Sequence, residues 1–218
     1  MTTTLMKRLR ALNSKERYWL IQNALAGQDE DLRHRKMAEL ESRMSLSKGF
    51  RDRIGAILGV SVPENAFWAM DYHLDWLWAA KNCTDKNIAS YESGYRQNQQ
   101  DVDLIIAYDD PDARITRMIL VEAKGVGAWS ESQLKSKIER FRDLFGDDGR
   151  KWQGVEPYFL IMSPKPKKDK KGWPPWTLRN GEPCWAELYI PKEACKAMRS
   201  DSNGKSTRDG SHVKICPR

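Results

Sequence analysis

Apolar positions recur at helical spacing through the first sixty residues and change to strand-like runs near the middle of the chain. In "KERYWLIQNAL", introduced by Ser14, the residues Tyr18, Ile21 and Leu25 fall on one face, which predicts a capped helix. "LRHRKMAELESRM" has the pattern of a charged amphipathic helix, and "FRDRIGAILG" predicts a helix stopped at Gly59. "SVPENAFWAMDYHLDWLWAA" follows, with Phe67, Met70, Leu74, Leu77 and Trp78 as an apolar stripe. Ser61 and Glu64 stand at capping-box spacing and Pro63 suits a first turn, so a helix is predicted here too. Glu64, Trp68, Asp71 and Asp75 would line its neighbouring face.

Beyond it, "NIASYESGYRQNQ" is a weaker strand candidate ending in a polar loop. Two apolar runs, "VDLIIAY" and "ITRMILVEA", flank "DDPDAR", the most turn-like sequence in the region, and predict an antiparallel hairpin. Ser130 and Gln133 form a second capping box, with Trp129 and Leu134 placed as a hydrophobic staple. The helix they open carries Leu134, Ile138, Phe141 and Phe145 on one face, with Lys135, Arg140 and Arg142 keeping the other side basic. "PYFLIM" reads as a short buried strand, "CWAELYI" as a later one, and "RSDSNGKSTRDGSH" as loop or disordered chain. The order helix, strand, strand, strand, helix, strand predicts an α/β fold with a mixed sheet flanked by helices.

A chain of 218 residues holds one domain of about 100–150 residues with extensions. With 40% hydrophobic and 31% charged residues, the composition is that of a soluble globular protein. No run approaches the roughly 18 apolar residues of a membrane span. The opening residues lack the apolar segment of a signal peptide, so a cytoplasmic location without membrane association is expected. Cys83, Cys184, Cys195 and Cys216 are scattered and read as reduced thiols; a zinc site from Cys195, Cys216 and His212 is the weaker alternative. A net charge of +7 and a pI near 9.2 point to a polyanionic partner. Lysines concentrate in "PKPKKDKKGWPPW", where Trp173 and Trp176 suit either stacking on unpaired bases or core packing beneath a solvated loop.

Ionisable residues at the ends of the two central strands sharpen this picture. Side chains alternate along a strand, so Glu122 and Lys124 share a face at a separation of about 7 Å. Asp101 and Asp103 do the same on the preceding strand. A turn centred near position 112 sets Asp103 opposite Glu122. Carboxylates about 5 Å apart repel unless a cation sits between them. Oxygen ligands without neighbouring His or Cys favour Mg²⁺ or Mn²⁺ over zinc. A lysine beside such an ion can orient water or stabilise charge developing on a phosphate, which is chemistry suited to phosphodiester hydrolysis. A Glu-x-Lys tripeptide alone is usually a solvated pair at a strand end. The opposing aspartate, the order of elements and the basic charge together raise its weight.

"DVDLII" (Asp101 to Ile106) followed by "ILVEAK" (Ile119 to Lys124) resembles the PD-(D/E)xK nuclease superfamily, the restriction-endonuclease-like fold with core order αβββαβ. The resemblance covers residues 61–164 and implies a helical extension over 1–60 and a basic extension over 165–218. It implies metal ligation by Asp103, Glu122 and the carbonyl of Ala123, with Lys124 as the catalytic lysine. The cofactor it implies is Mg²⁺, with Mn²⁺ as a substitute, and the reaction is in-line attack of metal-activated water on DNA. Gln100 rather than proline precedes Asp101, and Val102 precedes Asp103, which leaves Asp101 as a substitute ligand. Asp103 is preferred because the unbroken apolar run starts directly after it.

Some members of this superfamily add an acidic residue from the first core helix. Asp71 is chosen here over Asp75 and over Glu64, whose capping-box position already explains it. His73, between them, reads as a solvated or hydrogen-bonded residue. Gln133 resembles the glutamine that follows the Glu-x-Lys strand in several nuclease branches, and helix capping explains it equally well. "KGVGAW" lacks the full phosphate-loop pattern, so Gly125 and Gly127 are read as a turn at the rim of the site. The expected partner is nucleic acid, DNA by the resemblance, and a homodimer is left open. The alternative function is a non-catalytic nucleic-acid-binding module on the same fold.

Overall fold

The computed structural model describes residues 4–12, 45–83, 100–125, 131–166, 170–191 and 195–217. Its elements run α1 (Leu5–Leu12), α2 (Lys48–Leu58), β1 (Phe67–His73), α3 (Leu74–Asn82), β2 (Asp101–Asp110), β3 (Ile115–Ala123), α4 (Glu131–Phe145) and β4 (Val155–Ser163). A 3₁₀ turn (Pro175–Thr177), short strands β5 (Leu178–Arg179), β6 (Glu182–Pro183) and β7 (Trp185–Glu187), and the pair β8 (Cys195–Ser200) and β9 (His212–Pro217) follow. Five strands form one mixed sheet in the order β1-β2-β3-β4-β7. The β1–β2 and β2–β3 pairs are antiparallel, whereas β3–β4 and β4–β7 are parallel. The protein is therefore a mixed α/β structure.

The central hairpin follows directly from its turn chemistry. Its ladder runs from Asp110–Ile115 at the turn to Leu104–Val121. The Asp110 carboxylate accepts the backbone N–H groups of Asp112 and Ala113, closing an Asx-type turn, and Arg114 supplies a left-handed residue at φ 54°. The ladder then forces alternation. Ile105, Ala107, Met118 and Leu120 enter one core, and Ile106, Tyr108, Ile119 and Val121 enter the other. Helices cover both faces, α1, α3 and α4 on the first and α2 on the second. A sheet buried on both faces needs near-continuous apolar strands, which explains the run "PYFLIM" in β4.

α2 ends as expected at Gly59, whose φ of 71° is the left-handed conformation that glycine adopts without strain. α4 buries the predicted stripe Leu134, Ile138, Phe141 and Phe145. The helix expected over "SVPENAFWAMDYHLDWLWAA" is not one element. Residues 67–73 form edge strand β1 and only Leu74–Asn82 are helical. The Ser61–Glu64 segment is a loop, and pairing of the aromatic-rich "FWAMDYH" with β2 overrides its local helical period. The basic side assigned to α4 is also corrected at Arg140. This residue is fully buried and paired with Asp75 of α3.

The expected helices at 14–44, the strand candidate "NIASYESGYRQNQ", and Trp129 and Ser130 lie outside the described residues. "CWAELYI" contributes three residues to β7. The tail read as loop is flanked by a two-stranded ribbon, with Arg199 pairing with Val213 and Ser200 with His212. Trp173 and Trp176 are partly buried and pack against the core. Their rings lie against Phe159 at 5.5 Å and Phe145 at 5.4 Å between centroids. All four cysteines are free. Among the described residues, no helix is long and apolar enough to cross a membrane.

Candidate functional site

The hairpin's register, carried one step past Leu104–Val121, sets Asp103 of β2 opposite Glu122 of β3. The Asp103 carboxylate accepts the backbone N–H of Ala123 at 2.6 Å, so its side chain bridges the strands where the ladder ends. Beyond Ala123 the chain stays on β4, with Lys124 N–H donating to the Met162 carbonyl at 2.8 Å. Glu122, Ala123 and Lys124 are thus held between two strands rather than on a free loop.

Glu122 faces the core that α4 covers. Its Oε1 is ion-paired with the ammonium of Lys137, and both side chains are nearly enclosed, at 14% and 15% exposed. Its Oε2 is buried and has no hydrogen-bond partner among the described residues. Burial pushes the Glu122 carboxyl up to about 7. The Lys137 ammonium opposes that shift, the Asp103 charge adds to it, and the Lys124 ammonium opposes it in turn. Four ionisable groups therefore share one electrostatic neighbourhood, and three of them are the residues singled out in the sequence.

Asp71 is on β1, not in the middle of a helix. The pairs Met70–Leu104 and Tyr72–Val102 on either side of it leave it level with Asp103. Its φ of 49° is left-handed, a conformation that aspartate tolerates better than most residues but one rare inside a strand. Ala69 and Tyr72 both reach the same core, which strict strand alternation forbids, and the left-handed residue between them absorbs the change. Acidic residues thus occupy one level across three strands: Asp71, Asp103 and Glu122.

Asp101 lies two residues further out, opposite His73, with His73 Nε2 3.8 Å from Asp101 Oδ1. Asp103 contacts the Glu122–Ala123 segment. Asp75 is set apart from this cluster by its buried pairing with Arg140, and Glu64 lies on an exposed loop. Gln133 lies in the first turn of α4, and its side chain is outside the described residues. Nearby, Gln100 Nε2 donates to the Ser136 hydroxyl, tying the start of β2 to α4.

Lys137 is the group that sequence reasoning missed. It stands three residues after Leu134 and four before Phe141, on the apolar face of α4. A lysine at a core-facing helical position was the signal available for it. Among the described residues, no three His, Cys, Asp or Glu side chains converge as a metal-holding group. Oxygen donors and the unpartnered, buried Oε2 fit a hard divalent cation. Comparison with known protein families, curated proteins and solved structures finds no match to this chain.

Proposed function

We propose that the protein is a divalent-metal-dependent nuclease of the PD-(D/E)xK class that hydrolyses phosphodiester bonds in DNA. The observation that carries the reading is the opposition of Asp103 and Glu122 at the end of the β2–β3 hairpin, with Lys124 two residues further on. The order of elements supports it as well. An antiparallel β1-β2-β3 meander followed by α4 and a parallel β4 matches the order αβββαβ, apart from α3 inserted between β1 and β2.

Asp103, Glu122 and the carbonyl of Ala123 would hold the cation, the two carboxylates neutralising its charge. A divalent cation at that position supplies Lewis acidity towards water and towards a phosphoryl oxygen. Ala123 N–H fixes the Asp103 carboxylate, so one side of the site is oriented before substrate arrives. The Lys124 ammonium, on the same strand face as Glu122, would stabilise negative charge on the phosphate during in-line displacement. Asp71 would add a third negative charge at the β1 edge. Gln133, at the start of α4, would position the lysine or the substrate. The chain's net charge of +7 favours a polyanion over a small neutral substrate.

A second reading, a non-catalytic nucleic-acid-binding module, draws on the Lys137–Glu122 pair. With a counter-ion already supplied by α4, Glu122 has less need of a metal. Incubating the protein with single-stranded, duplex and branched DNA in Mg²⁺, Mn²⁺ or chelator separates the two. Cation-dependent cleavage that disappears in Glu122→Gln supports the nuclease. Binding without cleavage of any of these DNAs would leave the binding module. On duplex DNA the logarithm of affinity should fall with the logarithm of salt by about 0.9 per phosphate contact. A flat salt profile would contradict both readings.

A further inference from the structure

Lys137 occupies a costly place. Its ammonium leaves water to reach Glu122 Oε1 from the apolar face of α4, and its side chain stays only 15% exposed. Buried ion pairs of this kind seldom add net stability over apolar residues of similar size. The Asp103 charge acts on Glu122, and Lys137 places one tethered positive charge on the Glu122 carboxylate. Among the described residues, the second oxygen of Glu122 has no hydrogen-bond partner.

We propose that Lys137 is the built-in counter-ion of the Asp103–Glu122 site, and that a divalent cation entering the site displaces its ammonium from Glu122 Oε1. This rests on the metal-site reading given above. A divalent cation and an ammonium on one carboxylate repel strongly where water is largely excluded, so the two cannot share Glu122 at full strength. The lysine side chain is long and flexible, and its compact charge hydrates readily once released towards solvent. A sodium or potassium ion replacing the ammonium would gain no charge. A divalent ion gains one unit and keeps it beside both Asp103 and Glu122. Lys137 is thereby a specificity-determining residue: it closes the site to monovalent cations and sets the concentration at which a divalent one enters.

Calorimetric titration of Mn²⁺ into the protein tests the exchange. The wild type should bind Mn²⁺ and Asp103→Asn should not. Lys137→Met, which removes the competing charge, should bind Mn²⁺ about tenfold more tightly or better. Lys137→Arg, which keeps the charge, should resemble the wild type. A second readout needs no variant: acylation of Lys137, followed by mass spectrometry. Lys137 should be protected in cation-free protein and become reactive with saturating Mn²⁺, but not with sodium at the same ionic strength.

Mn²⁺ binding to Lys137→Met but not to wild type overturns the exchange, since the lysine then blocks the site rather than yielding it, and leaves the metal site standing. If wild type binds and Lys137→Met binds equally or more weakly, the exchange is overturned and the metal site stands. Continued protection of Lys137 at saturating Mn²⁺ has the same meaning, and it decides the matter should Lys137→Met fail to fold. No Mn²⁺ binding by either protein overturns the metal-site reading and the exchange with it.

Discussion

The carboxylate of Asp103 accepts the backbone N–H of Ala123 at 2.6 Å, joining the last paired residues of β2 to the residue between Glu122 and Lys124. One side chain therefore has two duties, to close the end of a strand ladder and to supply charge to the site. Substitutions can separate them. Asp103→Asn keeps an oxygen for the Ala123 N–H, so it should fold with little loss of stability while abolishing Mn²⁺ binding and DNA cleavage. Asp103→Ala removes the charge-assisted bond as well and should cost a further 1.5–3 kcal/mol, roughly. Urea unfolding beside a cleavage assay checks both, and full activity in Asp103→Asn would rule out the proposed site.

Glu122 links the site to pH. Its ordinary carboxyl value of 4.5 is raised to about 7 in the fold, first by burial. Below about pH 4.5 the group is protonated whether folded or unfolded, and its contribution to stability is fully present. As pH rises towards and through 7, the unfolded chain gives up the proton more readily, and that contribution is lost. The difference amounts to on the order of 3 kcal/mol. Unfolding of cation-free protein between pH 5 and 9, compared with Glu122→Gln, isolates it from other groups. The stability gap between the two proteins should shift by about that amount across the window, to the detriment of the wild type at high pH. A constant gap would mean that burial does not hold the proton.

Asp75 and Arg140 form a different kind of pair. Arg140 is 0% exposed, and its guanidinium donates to Asp75 Oδ1 and lies 3.6 Å from Asp143 Oδ2. Removing one partner strands a buried charge, so Arg140→Met should cost about 3–5 kcal/mol in chemical denaturation. Asp75→Leu combined with Arg140→Met should regain part of that loss, because the buried Asp75 carboxylate is gone and only the partly exposed Asp143 carboxylate loses its Arg140 partner. If the double variant is as unstable as the single one, the pair is not the source of the cost. Metal binding by folded double variant should be unaltered, since Asp75 is apart from the Asp103–Glu122 pair.

What the sequence made legible follows from how local each determinant is. The β2–β3 register could be read because "DDPDAR" fixes the turn and strand alternation does the rest, which placed Asp103 opposite Glu122. The α4 stripe and the Gly59 stop are equally local. Residues 61–80 misled because Phe67, Met70, Leu74 and Leu77 satisfy a helical period, while β1 is fixed by a partner strand about thirty to forty residues away. No local pattern reports that partner. Lys137 and Arg140 escaped for a related reason. Both are basic residues on a helix, usually solvated, and only the tertiary positions of Glu122 and Asp75 draw them inward.

Asp71 allows the fold and the site to be tested independently. Its φ of 49° strains most side chains, and the strain is concentrated at one residue because Ala69 and Tyr72 must both face the same core. Glycine adopts this conformation freely, so Asp71→Gly should hold stability within about 1 kcal/mol of wild type, with relief of strain offsetting the added freedom of the unfolded chain. Valine, branched at Cβ, fits it poorly, and Asp71→Val should lose on the order of 1–3 kcal/mol. If Asp71 served the backbone alone, Asp71→Gly would cleave DNA and bind Mn²⁺ like the wild type. Its level with Asp103 and Glu122 leads to the opposite expectation: a folded Asp71→Gly protein with weaker Mn²⁺ binding and at least about tenfold slower cleavage, a loss of roughly 1.4 kcal/mol in transition-state stabilisation. Thermal unfolding, calorimetry and a single-turnover cleavage assay on the same preparation decide between the two. Unchanged binding and cleavage in the glycine variant would remove Asp71 from the site and leave it a hinge in β1.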